Sequence, residues 1–281
     1  MVTGAGELRV EQQPALLLHR YRLKEAGFRL ELWTRDYGRV ALMARGEGRQ
    51  PQRKRGAQSG LLQPFQPLMV SWGGRGSLPL LYTVESAGYL PPLTGSALLC
   101  GFYLNELLMR LTERYDPHPQ LFSKTLHTLL HLESGDSLEW ELRLFERTLL
   151  VEIGYCPDFE AVLSGAVAGE GEERYCYRYD DGFVPLSSAV GGCNGVVVST
   201  TTIRTLISEQ PGDEEVLSQA KRLMRYLLVR YLGPQPLQSR KMMEDQIRLR
   251  RRSVAAATPL LQMEAENQCD QIKEGRGDVR I

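Results

Sequence analysis

The chain has 281 residues, 42% hydrophobic and 24% charged, and its 34 basic and 34 acidic side chains leave no net charge. That length holds one large or two ordinary domains, and the composition excludes a disordered, collagenous or membrane-embedded chain. The longest charge-free helical stretch, Ser96 to Asn105, falls far short of the ~20 apolar residues that span a bilayer, and Met1 to Gln13 lacks the basic-then-apolar pattern of a secretory signal, so a cytoplasmic protein with no membrane contact is expected.

From Ala15 to about Ser86 the pattern is that of strands. Leu16 to Leu23 and Phe28 to Thr34 alternate apolar with polar or basic positions, the period of two of half-buried strands. Asp36-Tyr37-Gly38 is a turn before Val40 to Met43. A polar Gly/Arg/Gln stretch, Gly46 to Gly60, precedes Pro67 to Trp72, a glycine turn, and Leu78 to Val84. Five short strands with one long basic loop fit an oligonucleotide-binding (OB) β-barrel; an SH3-like barrel fits the pattern nearly as well.

After Gly95 the period changes to 3.6. Ser96 to Glu113 is apolar almost all round and predicts a buried central helix. Leu121 to Leu132 predicts a second, and Leu138, Leu142, Phe145 and Leu149 mark a third, with Asp136 or Ser137 as its N-cap. Gly154 to Asn194 is mixed, with a strand, a turn and a strand around Arg174 to Phe183. Helices follow at Ser199 to Ser208, Asp213 to Leu232 and Ser239 to Arg251. The reading is therefore α+β: an OB-fold barrel over 1–86, then a mainly helical domain over 87–252 containing a mixed insertion at 154–194, then a disordered tail at 253–281.

The zero net charge hides segregation. Residues 1–95 carry a net +6, 96–215 a net −12, 216–252 a net +8 and 253–281 a net −2. Such asymmetry suggests a face for a polyanion. Between residues 16 and 80 there are 12 basic against 4 acidic side chains. Arg20, Arg22, Lys24, Arg29, Arg35, Arg39 and Arg45 come from barrel strands and turns, and Arg49, Arg53, Lys54 and Arg55 from the long loop. Basic grooves with aromatic side chains grip single strands. Tyr21, Phe28, Trp33 and Tyr37 are the aromatics at hand, and Tyr37, in its turn, is the one expected to be exposed.

Catalytic patterns are missing. There is no G-x-x-x-x-G-K-[ST], no G-x-S-x-G elbow and no kinase set, and Gly73-Gly74-Arg75-Gly76 reads as a hairpin turn. His127 and His131 stand at i, i+4, but the zinc-protease pattern needs Glu at position 128, where Thr stands. Surface or partly buried histidines are the better reading, and His19 and His118 sit alone. The five cysteines, Cys100, Cys156, Cys176, Cys193 and Cys269, include no C-x-x-C pair, which disfavours a disulfide framework or a paired-thiolate zinc site. Reduced thiols, no metal, no cofactor and no enzyme activity are expected.

Several blocks in order resemble the RecO family of bacterial recombination and repair proteins. They are Asp36 to Val40, Ala44 to Gly46, Leu61 to Leu68, Gly73 to Gly76, Gly101-Phe102-Tyr103-Leu104-Asn105-Glu106-Leu107-Leu108, Leu142 to Glu146, Gly154-Tyr155, Lys221 to Gly233 and Leu237 to Arg240. The resemblance spans about residues 15 to 250. It implies an OB domain packed on a helical domain, binding of single- and double-stranded DNA, annealing of strands coated with single-strand-binding protein (SSB), and action with RecR in loading the RecA recombinase. DNA would be held by Arg20, Arg22, Lys24, Arg35, Tyr37, Arg39, Arg45, Arg53, Lys54 and Arg55. Many members carry a four-cysteine zinc site in the segment equivalent to Gly154 to Asn194; with Cys156, Cys176 and Cys193 unpaired in spacing, the insertion here is expected to be zinc-free and held by packing alone. The SSB tail, acidic and ending in an aromatic residue, needs a cation beside a groove. Arg143 is the expected cation unless it merely pairs with Glu139 or Glu146; Lys221, Arg222 and Arg225 are the alternatives. A protein scaffold with weak DNA binding and a metal-dependent nuclease are the competing classes.

Overall fold

A short strand β1 (Val2–Thr3) pairs with the start of β2 (Glu7–Leu23), which runs well upstream of the alternating segment that marks it in the sequence. The computed structural model describes residues 2–3, 7–23, 27–45, 60–134, 138–165, 173–188 and 192–249; the Gly46 to Ser59 part of the basic loop and the tail at 253–281 lie outside them. The length of β2 has a purpose. Its first half, Leu8 to Leu16, pairs with β5 (Pro67–Gly74), and its second, Ala15 to Leu23, pairs with β3 (Gly27–Thr34). Gln12, at φ 51°, shifts the register between the halves, as a bulge does.

Strand β4 (Gly38–Arg45) follows β3 through the Arg35-Asp36-Tyr37 turn, and β6 (Leu80–Ser86) returns beside β5 and meets β4 in parallel at Met43 and Leu80. The order β2-β3-β4-β6-β5, with β5 back on β2, closes a five-stranded barrel among the described residues. Closed pairing of this kind is that of an OB fold and removes exposed sheet edges. Leu17, Leu30, Leu42, Leu68, Val70 and Trp72 fill the interior. The opposite face is also dry: Trp33 and Ala41 are fully buried, because the helical part lies over it.

Helix α1 (Gly95–Leu111) does most of that covering. Its nearly continuous apolar sequence suits a helix with neighbours on every side, and Leu104, Leu107 and Leu108, fully buried, contribute about 1.5–3 kcal/mol each. The Gly101 to Leu108 block has identifiable reasons. A side chain at Gly101 would meet Leu93 and the Phe65 ring at 2.9–3.0 Å. The Tyr103 hydroxyl donates to Glu146 at 2.5 Å, and the Asn105 amide donates to the carbonyls of Leu17 and Leu18, where β2 bulges a second time. Arg110 donates to Leu232 O and, at 2.8 Å, to Gln235 O, tying this helix to the end of α6 (Glu214–Leu232).

Helices α2 (Pro119–Ser134) and α3 (Leu138–Glu152) occur where periodicity places them; the expected caps Asp136 and Ser137 fall outside the described residues. Helix α4 (Phe159–Gly165) and strand β9 (Val196–Ser199) are additions that the mixed composition hides. Strands β7 (Arg174–Arg178) and β8 (Gly182–Pro185) form the expected hairpin, and β9 pairs on the other side of β7. Helix α5 (Thr200–Ser208) starts with Ser199 accepting from the Thr202 amide, and α6 starts with Asp213 accepting from Val216 at 2.8 Å, both side-chain N-caps. Met1–Gln235 forms one compact unit and Pro236–Ile281 a second, whose described part contains a helix over 238–249.

One cysteine expectation is corrected. Cys176 on β7 and Cys193 just before β9 form a disulfide, with Cα atoms 5.7 Å apart; pairing of β9 with β7 brings together thiols that sequence spacing keeps apart. Packing alone therefore does not hold the insertion. Cys100 and Cys156 are free thiols, and burial pushes each up to about 11, so neither is an activated nucleophile. Thiol titration of denatured, unreduced protein should find two fewer reactive groups than the five cysteines of the chain. Cys193→Ser should lower stability by about 2–3 kcal/mol under oxidising conditions and leave it unchanged under reducing ones. Five reactive thiols would remove the bond.

Candidate nucleic-acid interface

The expected DNA cations do not form one cluster. Strand β3 separates two groups, one at the β3–β4 turn and one at the other end of the β2–β3–β4 sheet, an extended span of about 25 Å for its length.

At the far end, Arg20 and Arg22 are exposed on β2, opposite Leu30 and Phe28, with the Arg20 guanidinium 4.8 Å from the Phe28 ring centroid. Tyr21 points to the other face. It is 42% exposed, its ring centroid lies 4.3 Å from that of His19, and Arg29 sits over it at 5.6 Å. Arg45, exposed at the end of β4, pairs in register with Gly27 on β3. Arg20, Arg22, Arg29 and Arg45 thus surround an exposed aromatic ring where the long basic loop leaves the barrel. Lys24, Arg53, Lys54 and Arg55 lie outside the described residues.

At the near end the expectations need correction. Tyr37 is not the exposed aromatic: its ring packs edge-on against buried Trp72, centroids 5.4 Å apart. The turn folds it back because Gly38 takes φ +62° and presses on the Asp116 backbone. Arg35 is exposed but paired with Asp36 at 2.9 Å, and this hydrogen bond lowers the Asp36 pKa. Arg39 is internal. Its guanidinium donates to Thr112 O at 2.8 Å and faces Glu31 at 3.6 Å, while burial and then the Arg114 charge lower its pKa. Glu31, fully buried, also accepts from Arg29 and Arg114 at 2.6 Å. Trp33 lies against the His118 ring, centroids 6.2 Å apart, and is unavailable for stacking. His118 is not alone either: it sits 3.2 Å from Glu152 and 3.3 Å from Asp116.

The helical cations differ as sharply. Arg143 is buried and pairs with Glu146 at 2.7 Å, which also accepts from Tyr103. The i, i+3 pairing is the physical reason it is no surface cation: its helix turns this face to α1. Lys221 is exposed but held by both carboxylate oxygens of Glu139 at 2.8 and 2.9 Å. Arg222 and Arg225 are exposed on α6, one and two turns before Val229, itself 55% exposed. Arg230 lies over Tyr179 at 4.6 Å, beside the stacked Tyr179–Tyr226 pair. At α2, the sequence pair His127 and His131 gains a third member, Glu141 from α3. No helix among the described residues is long and apolar enough to cross a membrane.

Residues 8–89 match the family described as Recombination protein O N terminal, and residues 92–241 match Recombination protein O C terminal. The chain belongs to the RecO family. Among RecO relatives, the DNA repair protein RecO of Nitrosococcus oceani is 42% identical over 86% of this chain and 96% of its own length. That of Aromatoleum aromaticum is 40% identical over 84% and 96%, and that of Azoarcus sp. 38% over 86% and 98%. The family is one of DNA repair and recombination, and the barrel followed by helices with a small stranded insertion is the architecture its resemblance implies. In RecO terms, the residues missed by sequence reasoning are His19 and Arg29, neighbours of Tyr21 across and along β2; strand alternation was the signal that could have set Tyr21, rather than Tyr37, on an open face.

Proposed function

We propose that this chain binds single- and double-stranded DNA through the far end of its barrel, anneals complementary strands coated with SSB, and acts with RecR to load RecA. The supporting observation is the grouping of exposed Arg20, Arg22 and Arg45 around exposed Tyr21. Cations there offset phosphate repulsion between two strands, and a ring offers a sequence-tolerant stacking surface. The role needs proximity and charge neutralisation rather than bond-making, so no catalytic residue or cofactor is assigned. A cytoplasmic location accords with that role. For the acidic SSB tail, Arg222 and Arg225 beside Val229 replace Arg143 as the cations next to an apolar contact.

The test is a titration of labelled single strands over a salt series. Arg20, Arg22 and Arg45 replaced together by Ala should flatten the log–log slope by about 2, near 0.7 per lost phosphate contact, and weaken binding to every sequence alike. Arg39 stays in place, since its loss disturbs the core. An unchanged slope in the folded triple variant moves the DNA site elsewhere; weak, length-independent binding by the parent favours the scaffold reading. Arg222→Ala with Arg225→Ala should weaken an SSB-tail peptide and spare bare DNA.

A further inference from the structure

We propose that His127, His131 and Glu141 form a zinc site that clamps α2 to α3. Their ligand atoms lie within 4.8 Å of one another, the one such group of three among the described residues. Each residue is shaped for the task. His127 and His131 are one helical turn apart, with rings stacked at 4.0 Å. His131 Nδ1 lies 2.8 Å from the His127 carbonyl; a carbonyl only accepts, so Nδ1 carries the proton and Nε2 keeps its lone pair for a metal. A second-shell hydrogen bond of this kind fixes the tautomer of ligating histidines.

Glu141 supplies the second, independent observation. Its Oε2 is buried, has no hydrogen-bond partner, and lies 3.8 Å from His127 Nδ1. A buried carboxylate oxygen left unpartnered is costly, and a cation between it and the two imidazoles removes that cost. Zinc bonds of about 2.0–2.2 Å place tetrahedral ligands about 3.3 Å apart. Small rotations of exposed imidazoles close the remaining gap, since His127 is 52% exposed. Two nitrogens and one oxygen select zinc and its neighbours over magnesium or calcium. The nearest cation, Lys124, is already held by Glu209 at 3.0 Å. Three protein ligands leave a fourth position for water or for a side chain of a partner. The sequence pair lacks the Glu of a zinc protease, and here the carboxylate arrives from the following helix instead.

The experiment uses the full chain, dialysed against chelator and then titrated with Zn²⁺ by calorimetry and with Co²⁺ by visible absorption. The expected result is one ion per chain, an intense tetrahedral cobalt spectrum without a thiolate band, and a higher melting temperature with zinc. His127→Ala with His131→Ala should weaken zinc by more than about 100-fold, beyond the loss from an outer-shell partner. Glu141→Gln, which keeps size and helix, should weaken it by at least about tenfold, and Cys156→Ser should change nothing. Parental affinity in the double histidine variant, parental affinity in Glu141→Gln, a thiolate-to-cobalt band or no binding would each overturn the site.

Discussion

Replacing Gly38 with Ala should destabilise the protein by about 3 kcal/mol or more and lower its melting temperature accordingly. Two costs add. A side chain in the left-handed region costs about 1–2 kcal/mol. The new Cβ would also stand 1.9 Å from Asp116 O, so backbone must move. Gly76→Ala separates the two: its φ is +89° and a Cβ there meets nothing within 4 Å, so it carries strain alone and should cost about 1 kcal/mol. Equal losses in the two variants, measured by denaturant melts, would show that the contact with Asp116 contributes nothing.

Glu31→Ala should cost about 3–5 kcal/mol, the range for removing one partner of a buried ion pair. Glu31 is the shared anion of Arg29, Arg39 and Arg114. Without it, three guanidinium groups face one another around a void, and Arg39, the most enclosed, has its pKa already lowered by burial and by Arg114. Arg29→Ala should cost far less, because that side chain is 40% exposed and the carboxylate keeps two partners. A chemical-denaturation series on the two variants decides; comparable stability loss would show the network to be no more than a surface pairing. Because Glu31 lies one residue from Arg29 and Tyr21's register partner, DNA binding measured beside stability will show whether the far-end surface follows the core.

Much of the architecture was legible because it rests on local signals. Period two found the strands from Leu16 onward, and period 3.6 found α1, α2, α3, α5 and α6. What failed depends on pairing between distant segments. The first half of β2 alternates poorly because its bulge at Gln12 breaks the period, and β9 is too short to announce itself. The disulfide needed the β7–β9 register. Site reasoning met the same barrier. Counting cations locates a basic barrel but does not say which guanidinium already has an anion: Arg39 has Glu31, Arg143 has Glu146 and Lys221 has Glu139. Of these, the Glu146 pairing alone lay at helical spacing, and it was open to reading from sequence; the other two anions arrive from different elements.

The outer face of the β-barrel gives the Glu31 network a consequence for heredity as well as for folding. Trp33 and Ala41 are dry, Asn105 reaches the β2 backbone, and the Arg39–Arg114 bridge continues the sheet into the segment after α1. A barrel cut free at residue 86 would bare that apolar wall and leave Glu31 without Arg114. The barrel is therefore no portable module: a swap of OB domains between distant relatives would have to carry the matching α1 and the segment to His118 with it, so these two stretches of sequence should change in concert rather than independently.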